Sequence, residues 1–323
     1  MALLLTEQDV RRLLPMADLI DAMEDALARF STGQVKQPVR SIVELGDHGF
    51  FGVMPAALAS PAAAGMKLVT VVPANHARGI PSHLATIVLL DHETGALEAI
   101  LDGRYITEAR TAAVSAVSAR HLARKDARAV ALIGSGVQAR SHADALSRVL
   151  AVSEFRVWSP NAAHRDQAAT DILAATGVAA RAARSAEDAV EGAGVVVLVT
   201  SATAPVIEDR WIGAGTHVIG VGACRPAQRE MPAALMARAR VIVDSRDAAM
   251  KEAGDILLAQ QDGAAVRIAA ELGEICAGRA PGRTGGDDVT IFKSLGLAVE
   301  DVVSAHLVLE RARAAGVGTV LGL

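Results

Sequence analysis

Three cations in the first third of the chain have side chains suited to chemistry on an anion: Arg40, Lys67 and Arg110. Arg40 stands just before an apolar run, Lys67 lies inside one, and Arg110 is near the start of a helical pattern, directly before Thr111. An arginine fork grips a carboxylate through two parallel N–H bonds, and an ammonium binds an anion or manages a proton. The only lysines are Lys36, Lys67, Lys125, Lys251 and Lys293, which makes one of them inside Met66–Val72 conspicuous. Taken singly, each of the three cations is more often a solvated surface charge than a ligand. His76 and His83 are single imidazoles and read as structural or exposed. Cys224 has no histidine near it in sequence and reads as a small buried thiol rather than a nucleophile.

A second centre is Gly134-Ser135-Gly136-Val137-Gln138-Ala139, directly after the apolar run Ala129–Ile133 and opening a helix. That context gives a weak glycine pattern its meaning. Gly134 permits the tight turn, Gly136 lets the backbone approach a pyrophosphate, and Ala139 allows close helix–strand packing. The first N–H groups of the helix then face the anion. At the end of the second strand an NAD site usually carries a carboxylate for the ribose hydroxyls. This chain offers Trp158-Ser159-Pro160-Asn161, then His164 and Arg165. With no acid there and a cation close by, NADP(H) is favoured and NAD(H) remains open; Arg165 is equally readable as a solvated helix residue.

The elements that must hold these residues divide the chain in two. The 323 residues exceed one small core. Ala17–Phe30 has helical spacing until Gly33, and Thr6 with Asp9 resembles a capping pair. From Ser41 to Leu90 four runs read as consecutive strands, Ser41–Leu45, Phe50–Met54, Met66–Val72 and Leu84–Leu90, with turn chemistry at Gly46-Asp47, Pro73–Asn75 and Asp91–Gly95. Thr107–Leu122 is an alanine-rich helix. Beyond it strands and helices alternate, with continuous apolar strands such as Gly194–Thr200, Thr216–Val221 and Val241–Asp244. That rhythm predicts a doubly wound parallel sheet. The expected class is therefore α/β: a Rossmann domain over residues 126–297 and a mixed α+β domain over residues 1–125, rejoined by a C-terminal helix at about 298–323.

Composition excludes several functions. Aromatics are 2%, too few for base-stacking platforms, and the net charge of −4 comes without a basic stripe, so no nucleic-acid partner is expected. Hydrophobic residues reach 51%, yet no run approaches the roughly 18 apolar residues of a membrane span. The first residues have no basic n-region, so a cytoplasmic protein is expected. Two cysteines, Cys224 and Cys276, make neither a disulfide framework nor a metal site.

In addition, the chain resembles the ornithine cyclodeaminase and mu-crystallin family along nearly its whole length. The resemblance is carried by Gly52-Val53-Met54-Pro55-Ala56, Lys67-Leu68-Val69, Pro81-Ser82-His83-Leu84-Ala85-Thr86, Asp102–Thr107 and Arg110-Thr111-Ala112-Ala113. It continues through Gly134–Ala139, Val221-Gly222-Ala223-Cys224-Arg225-Pro226, Val243-Asp244-Ser245 and Phe292-Lys293-Ser294-Leu295-Gly296. It implies a homodimer whose N-terminal domain dimerises and binds substrate, with the active site in a cleft against the Rossmann domain. It also implies a nicotinamide cofactor and hydride exchange at the alpha carbon of a small amino or imino acid. By motif, Arg40, Lys67 and Arg110 would hold the substrate carboxylate and Thr111 would touch the cofactor. Gly134, Ser135, Gly136, Val137, Gln138, Ser159, Asn161, Arg165, Thr200, Val221 and Ser294 would complete the cofactor site, with no metal. Cyclodeaminases carry a glutamate where this chain has Met54 and an aspartate where it has Ala223-Cys224-Arg225-Pro226. The chain thus looks nearer the mu-crystallin branch, implying reduction of a cyclic imino acid. Ornithine cyclisation, alanine-type deamination, and NADPH-dependent ligand binding without turnover are the alternatives.

Overall fold

The computed structural model describes residues 2–46 and 49–322. Asp47, part of an expected turn, lies outside the described residues, as does the side chain of His76. The chain divides into two compact units. One runs from the N-terminus to Arg110 and resumes at Gly296; the other is Thr111–Leu295. The division falls inside the helix Arg104–Leu122 rather than between residues 125 and 126, where the sequence pattern changes.

The first unit is built on one mixed sheet. Strands Phe50–Ala59, Ala62–Val71, His83–Leu90 and Leu97–Asp102 form an antiparallel meander. Alternating residues such as Met54, Ala56 and Leu58 are buried, as period 2 requires when one face meets the core. Strand Ala2–Leu5 joins the far edge, parallel to Leu97–Asp102 and antiparallel to Thr319–Leu321. At the other edge, Ser41–Glu44 pairs with Phe50–Ala59 and is exposed throughout. Helix Met16–Ser31 buries Leu19, Ile20, Met23 and Leu27, and the helix Ala298–Ala315 packs against both it and the meander. The Thr6–Asp9 pair forms the expected reciprocal cap of helix Glu7–Leu13.

The second unit carries a parallel sheet in the spatial order Ala179–Ala182, Glu154–Trp158, Ala129–Ile133, Val195–Leu198, His217–Gly220, Thr290–Lys293, Arg240–Val243, Ile268–Glu271. The chain starts at Ala129–Ile133, winds outward to one side, then returns to Val195–Leu198 and winds the other way. The two strands flanking that reversal define the topological switch point, outside whose carboxyl ends ligands bind in open parallel sheets. The central strands Val195–Leu198 and His217–Gly220 are buried at every position, as sheets covered on both faces demand. The alanine-rich helix uses its hydroxyls inward: Ser115 Oγ meets His142 Nε2 at 2.9 Å and Ser118 Oγ meets His217 Nε2 at 3.1 Å. Burial pushes these imidazoles down to about 4 and about 3, so both are neutral.

Candidate active site

In the first unit, Lys67 sits mid-strand in Ala62–Val71 and is 2% exposed. Its ammonium lies 2.7 Å from Asp301 Oδ2. Arg110 donates from Nε to Asp301 Oδ1 at 3.0 Å and from a terminal nitrogen to Glu300 Oε2 at 2.7 Å. Glu300 and Asp301 are fully buried in the first turn of helix Ala298–Ala315. An ion pair so deep is stable only if both partners are closely matched and further bonded, which this cluster provides. Arg40, half-buried in the segment before Ser41–Glu44, donates to the carbonyl of Gly296 at 3.0 Å. Gly296 has a φ of +85°, and a Cβ there would sit 3.0 Å from Arg110 Cζ and nearer still to its nitrogens. Only glycine both adopts that backbone and leaves room for the guanidinium.

The three cations singled out by residue type are thus gathered in one place. Burial pushes the Lys67 ammonium down to about 8; Asp301 pulls it up, and the charges of Arg110 and Arg40 push it down. Burial pushes Asp301 up, but Arg110 and Lys67 outweigh it and hold the carboxyl below its ordinary value. His83, taken from sequence as structural or exposed, is instead half-buried and electrostatically coupled to Lys67 and Arg110. Burial and those charges push it down to about 4, leaving a neutral imidazole. Met54 is directly opposite Lys67 in the antiparallel register and 3% exposed. Directly opposed residues share a sheet face, so the neighbour of the Lys67 stem is a thioether and not a carboxylate.

In the second unit the Gly134 loop has the form a pyrophosphate needs. Gly134 has a φ of +118°, and a Cβ on it would lie 2.6 Å from the Val199 carbonyl oxygen. Gly136 caps helix Val137–Val149 with no side-chain hydrogen bond, and a Cβ there would meet nothing within 4 Å. The first N–H groups of that helix therefore face outward beside an open backbone, which fits a dinucleotide. Val137 is 53% exposed at this helix start. Gln138 follows it, half-buried, with Oε1 bonded to no group among the described residues.

On the outward side of the switch, Ser135 Oγ donates to Ser159 Oγ at 2.8 Å, and Ser159 Oγ donates to the Asn161 carbonyl. Asn161 caps helix Ala162–Thr176, and Arg165 donates to the Ser159 carbonyl at 2.7 Å. On the other side, Thr200 follows Val195–Leu198, Val221 follows His217–Gly220, and Ser294 follows Thr290–Lys293, its N–H bonded to the Gly220 carbonyl. Thr111 is buried in the alanine-rich helix, and Cys224 is half-buried in the loop after Val221.

Sequence reasoning missed Gly296, Glu300 and Asp301 as members of the cation cluster, and Glu230 and Asp255 as buried acids. An acidic first turn is what any solvated helix N-terminus shows, which hid Glu300 and Asp301. Their one distinguishing signal is the apolar residues on either side, Ala298-Val299 and Val302-Val303.

With this geometry in place, comparison with known proteins is decisive. Residues 1–316 match the model of the Ornithine cyclodeaminase/mu-crystallin family. The chain belongs to that family. It is 41% identical over 296 residues to the ketimine reductase mu-crystallin of Rattus norvegicus, covering 90% of this chain and 91% of that one. Among solved structures it is similar to the Delta(1)-pyrroline-2-carboxylate reductase of Thermococcus litoralis in complex with NADH and L-proline. That match has a TM-score of 0.97 at 36% identity and covers 99% of this chain and 100% of the other. An archaeal alanine dehydrogenase dimer with bound NAD matches at a TM-score of 0.93 and 31% identity, over 100% and 99%. The family membership and fold expected from the sequence motifs are thereby established. No helix among the described residues is long and apolar enough to cross a membrane.

Proposed function

We propose that the chain is a nicotinamide-dependent reductase of a cyclic imino acid, adding hydride to the alpha carbon and a proton to the imine nitrogen. The names and ligands of its relatives support this reading, and one observation within the chain carries it. Lys67 is paired with Asp301 and flanked by Arg110 and Arg40, while the residue across the sheet from it is Met54. Three cations, Arg40, Lys67 and Arg110, gather about Asp301 and Glu300, a concentration of positive charge suited to a substrate carboxylate. No carboxylate stands at position 54 to manage a second amine or shuttle its protons, as cyclisation of a diamino acid needs.

When bound, the nicotinamide supplies the hydride. Arg110 and Arg40 orient the substrate carboxylate, Arg110 itself being held by Glu300, Asp301 and the bare backbone of Gly296. Lys67 Nζ, with a proton affinity lowered toward neutrality, is suited to protonating or hydrogen-bonding the imine nitrogen, which makes the alpha carbon more electrophilic. Asp301 keeps that ammonium aimed. Gly134, Ser135, Gly136, Val137 and Gln138 would hold the pyrophosphate, and Thr111, Thr200, Val221 and Ser294 the remainder. NADP(H) is favoured over NAD(H), because the turn at Ser159–Asn161 carries no carboxylate and Arg165 is tethered beside it.

The proposal is tested by following NADH and NADPH oxidation with a panel of cyclic imino acids, pyrroline-2-carboxylate and piperideine-2-carboxylate among them. Imine-dependent turnover supports it. Background rates with every imine, alongside robust proline formation from ornithine, would overturn it. The similarity to alanine dehydrogenase supports one second reading, reductive amination of a small keto acid, which differs by requiring ammonia. A homodimer is also proposed: Ile42 and Val43 on the edge strand Ser41–Glu44 are 47% and 54% exposed, and an exposed apolar strand at a sheet edge invites a partner.

A further inference from the structure

Among the fully buried charged residues of the second unit that the site above does not use are Glu230, Asp255 and Lys293. They form a chain. Lys293 Nζ lies 3.2 Å from Asp255 Oδ2 and donates to the Gly220 carbonyl. Asp255 Oδ1 accepts the backbone N–H groups of Glu230 at 2.7 Å and Met231 at 2.9 Å. This fixes the Glu230 backbone and aims its side chain.

The Glu230 carboxylate then joins two separate loops. Oε1 accepts from the N–H and the hydroxyl of Thr200, both at 2.7 Å. Oε2 accepts from the N–H of Gly222 at 2.7 Å and of Ala223 at 3.2 Å. Burial and the Asp255 charge push this carboxyl's pKa up, against the pull of Lys293. Every group facing its oxygens is nonetheless a donor, the arrangement that an ionised carboxylate satisfies. Space is committed too: a Cβ on Gly222 would lie 2.8 Å from Glu230 Cδ.

Those loops occupy one particular half of the switch point. Thr200 follows Val195–Leu198, and Gly222 follows the adjacent strand His217–Gly220. The pyrophosphate turn lies at Gly134, one strand back, and the Ser159–Asn161 turn lies on its other side. A dinucleotide whose phosphates sit at Gly134 and whose adenosine half lies toward Ser159 must place its nicotinamide half toward Thr200 and Gly222. The N–H groups of Thr200, Gly222 and Ala223 and the hydroxyl proton of Thr200 are spent on Glu230, which sets how the carbonyls of these loops face the cofactor.

We propose that Glu230 is a positioning residue for the nicotinamide half of the cofactor, clamping the Thr200 and Gly222–Ala223 loops in one arrangement while leaving the adenosine half untouched. The proposal rests on reading the second unit as a nicotinamide dinucleotide site and requires no particular substrate. The isosteric change Glu230→Gln tests it, because an amide NH2 cannot accept from loop N–H groups and meets them donor to donor. Affinities of wild type and variant are measured for NADH by fluorescence and for ADP-ribose, which lacks the nicotinamide, by calorimetry. NADH binding is expected to weaken about tenfold, with ADP-ribose changed less than about twofold.

Equal weakening of both ligands would mean general loosening of the fold and would overturn the proposal, as would no change in either. If Glu230→Gln does not fold, Asp255→Asn, one bond further from the loops, is expected to give the same selective loss at smaller size, and a non-selective result there is equally fatal. A wild type that reduces no imine, yet whose variant loses NADH selectively, would sink the reductase reading and leave this one standing.

Discussion

Each unit of the molecule buries a lysine against an aspartate, and the two pairs differ in their surroundings. Lys293 and Asp255 are enclosed by backbone: the ammonium also donates to Gly220, and the carboxylate also accepts two N–H groups. Lys67 and Asp301 are enclosed by charge, with Arg110, Glu300 and Arg40 around them. In the first case the remaining partners are backbone groups of the chain itself, so the pair serves architecture. In the second, burial, and after it the charges of Arg110 and Arg40, lower the ammonium's proton affinity among side chains suited to an anion. Burial alone therefore does not mark a lysine as functional; a cluster of charged side chains around it does.

This contrast is open to attack at several points. The largest effect is expected for Lys67→Met, which should lower imine turnover about a thousandfold, within the range for a lost proton-managing group, while leaving NADH affinity unchanged. Turnover within a few-fold of wild type would remove Lys67 from the chemistry. Lys293→Met should instead act on stability. Urea denaturation is expected to show a loss of about 3 kcal/mol, because Asp255 is left buried and unpaired. Lys67→Met should lose roughly half as much, since Asp301 keeps Arg110. If the two losses are equal or reversed, the distinction between the pairs fails.

Gly296→Ala is next in size. Its φ of +85° strains any L side chain, and its Cβ would press on Arg110. The KM for the imino acid should rise about tenfold with NADH affinity intact, and about 1–2 kcal/mol of stability should be lost. An unchanged KM would separate Arg110 from substrate binding.

The smallest effect is on pH dependence. Lys67 is lowered from 10.5 to about 8 in the folded chain. If its ammonium is the active form, kcat/KM falls as pH rises through about 8. Asp301→Asn removes a charge that supports the ammonium and should move the falling limb about one pH unit lower. No movement would detach Asp301 from that proton. Stability runs the other way. Between about 8 and 10.5 the unfolded chain binds the proton the folded one has released, so Lys67 makes stability rise with pH across that window.

How much of this was legible in the sequence follows from the range of the interactions. The second unit is made of local signals. The apolar run Ala129–Ile133 and the glycines after it, the Ser185 cap and the αL glycine Gly177 are each readable within a few residues. The first unit depends on distant pairings. Ala2–Leu5 is only a short apolar run until it meets Leu97–Asp102 and Thr319–Leu321, and none of these three strands was predicted. The site divides likewise. Arg40, Lys67 and Arg110 stood out by type, and family motifs gave them a shared purpose. The acidic partners Glu300 and Asp301 arrive about 190 residues after Arg110, on a helix whose first turn looks solvated. Glu230 was invisible because its meaning lies in the N–H groups it accepts.

The most direct measurement follows the hydride itself. Pyrroline-2-carboxylate would be incubated with the protein and reduced cofactor carrying deuterium at nicotinamide C4 on the transferred face, and the proline isolated for NMR. One deuterium at Cα of proline is the expected result, with transfer suppressed in Lys67→Met. Proline without deuterium at Cα, or no proline beyond the uncatalysed background, would contradict it.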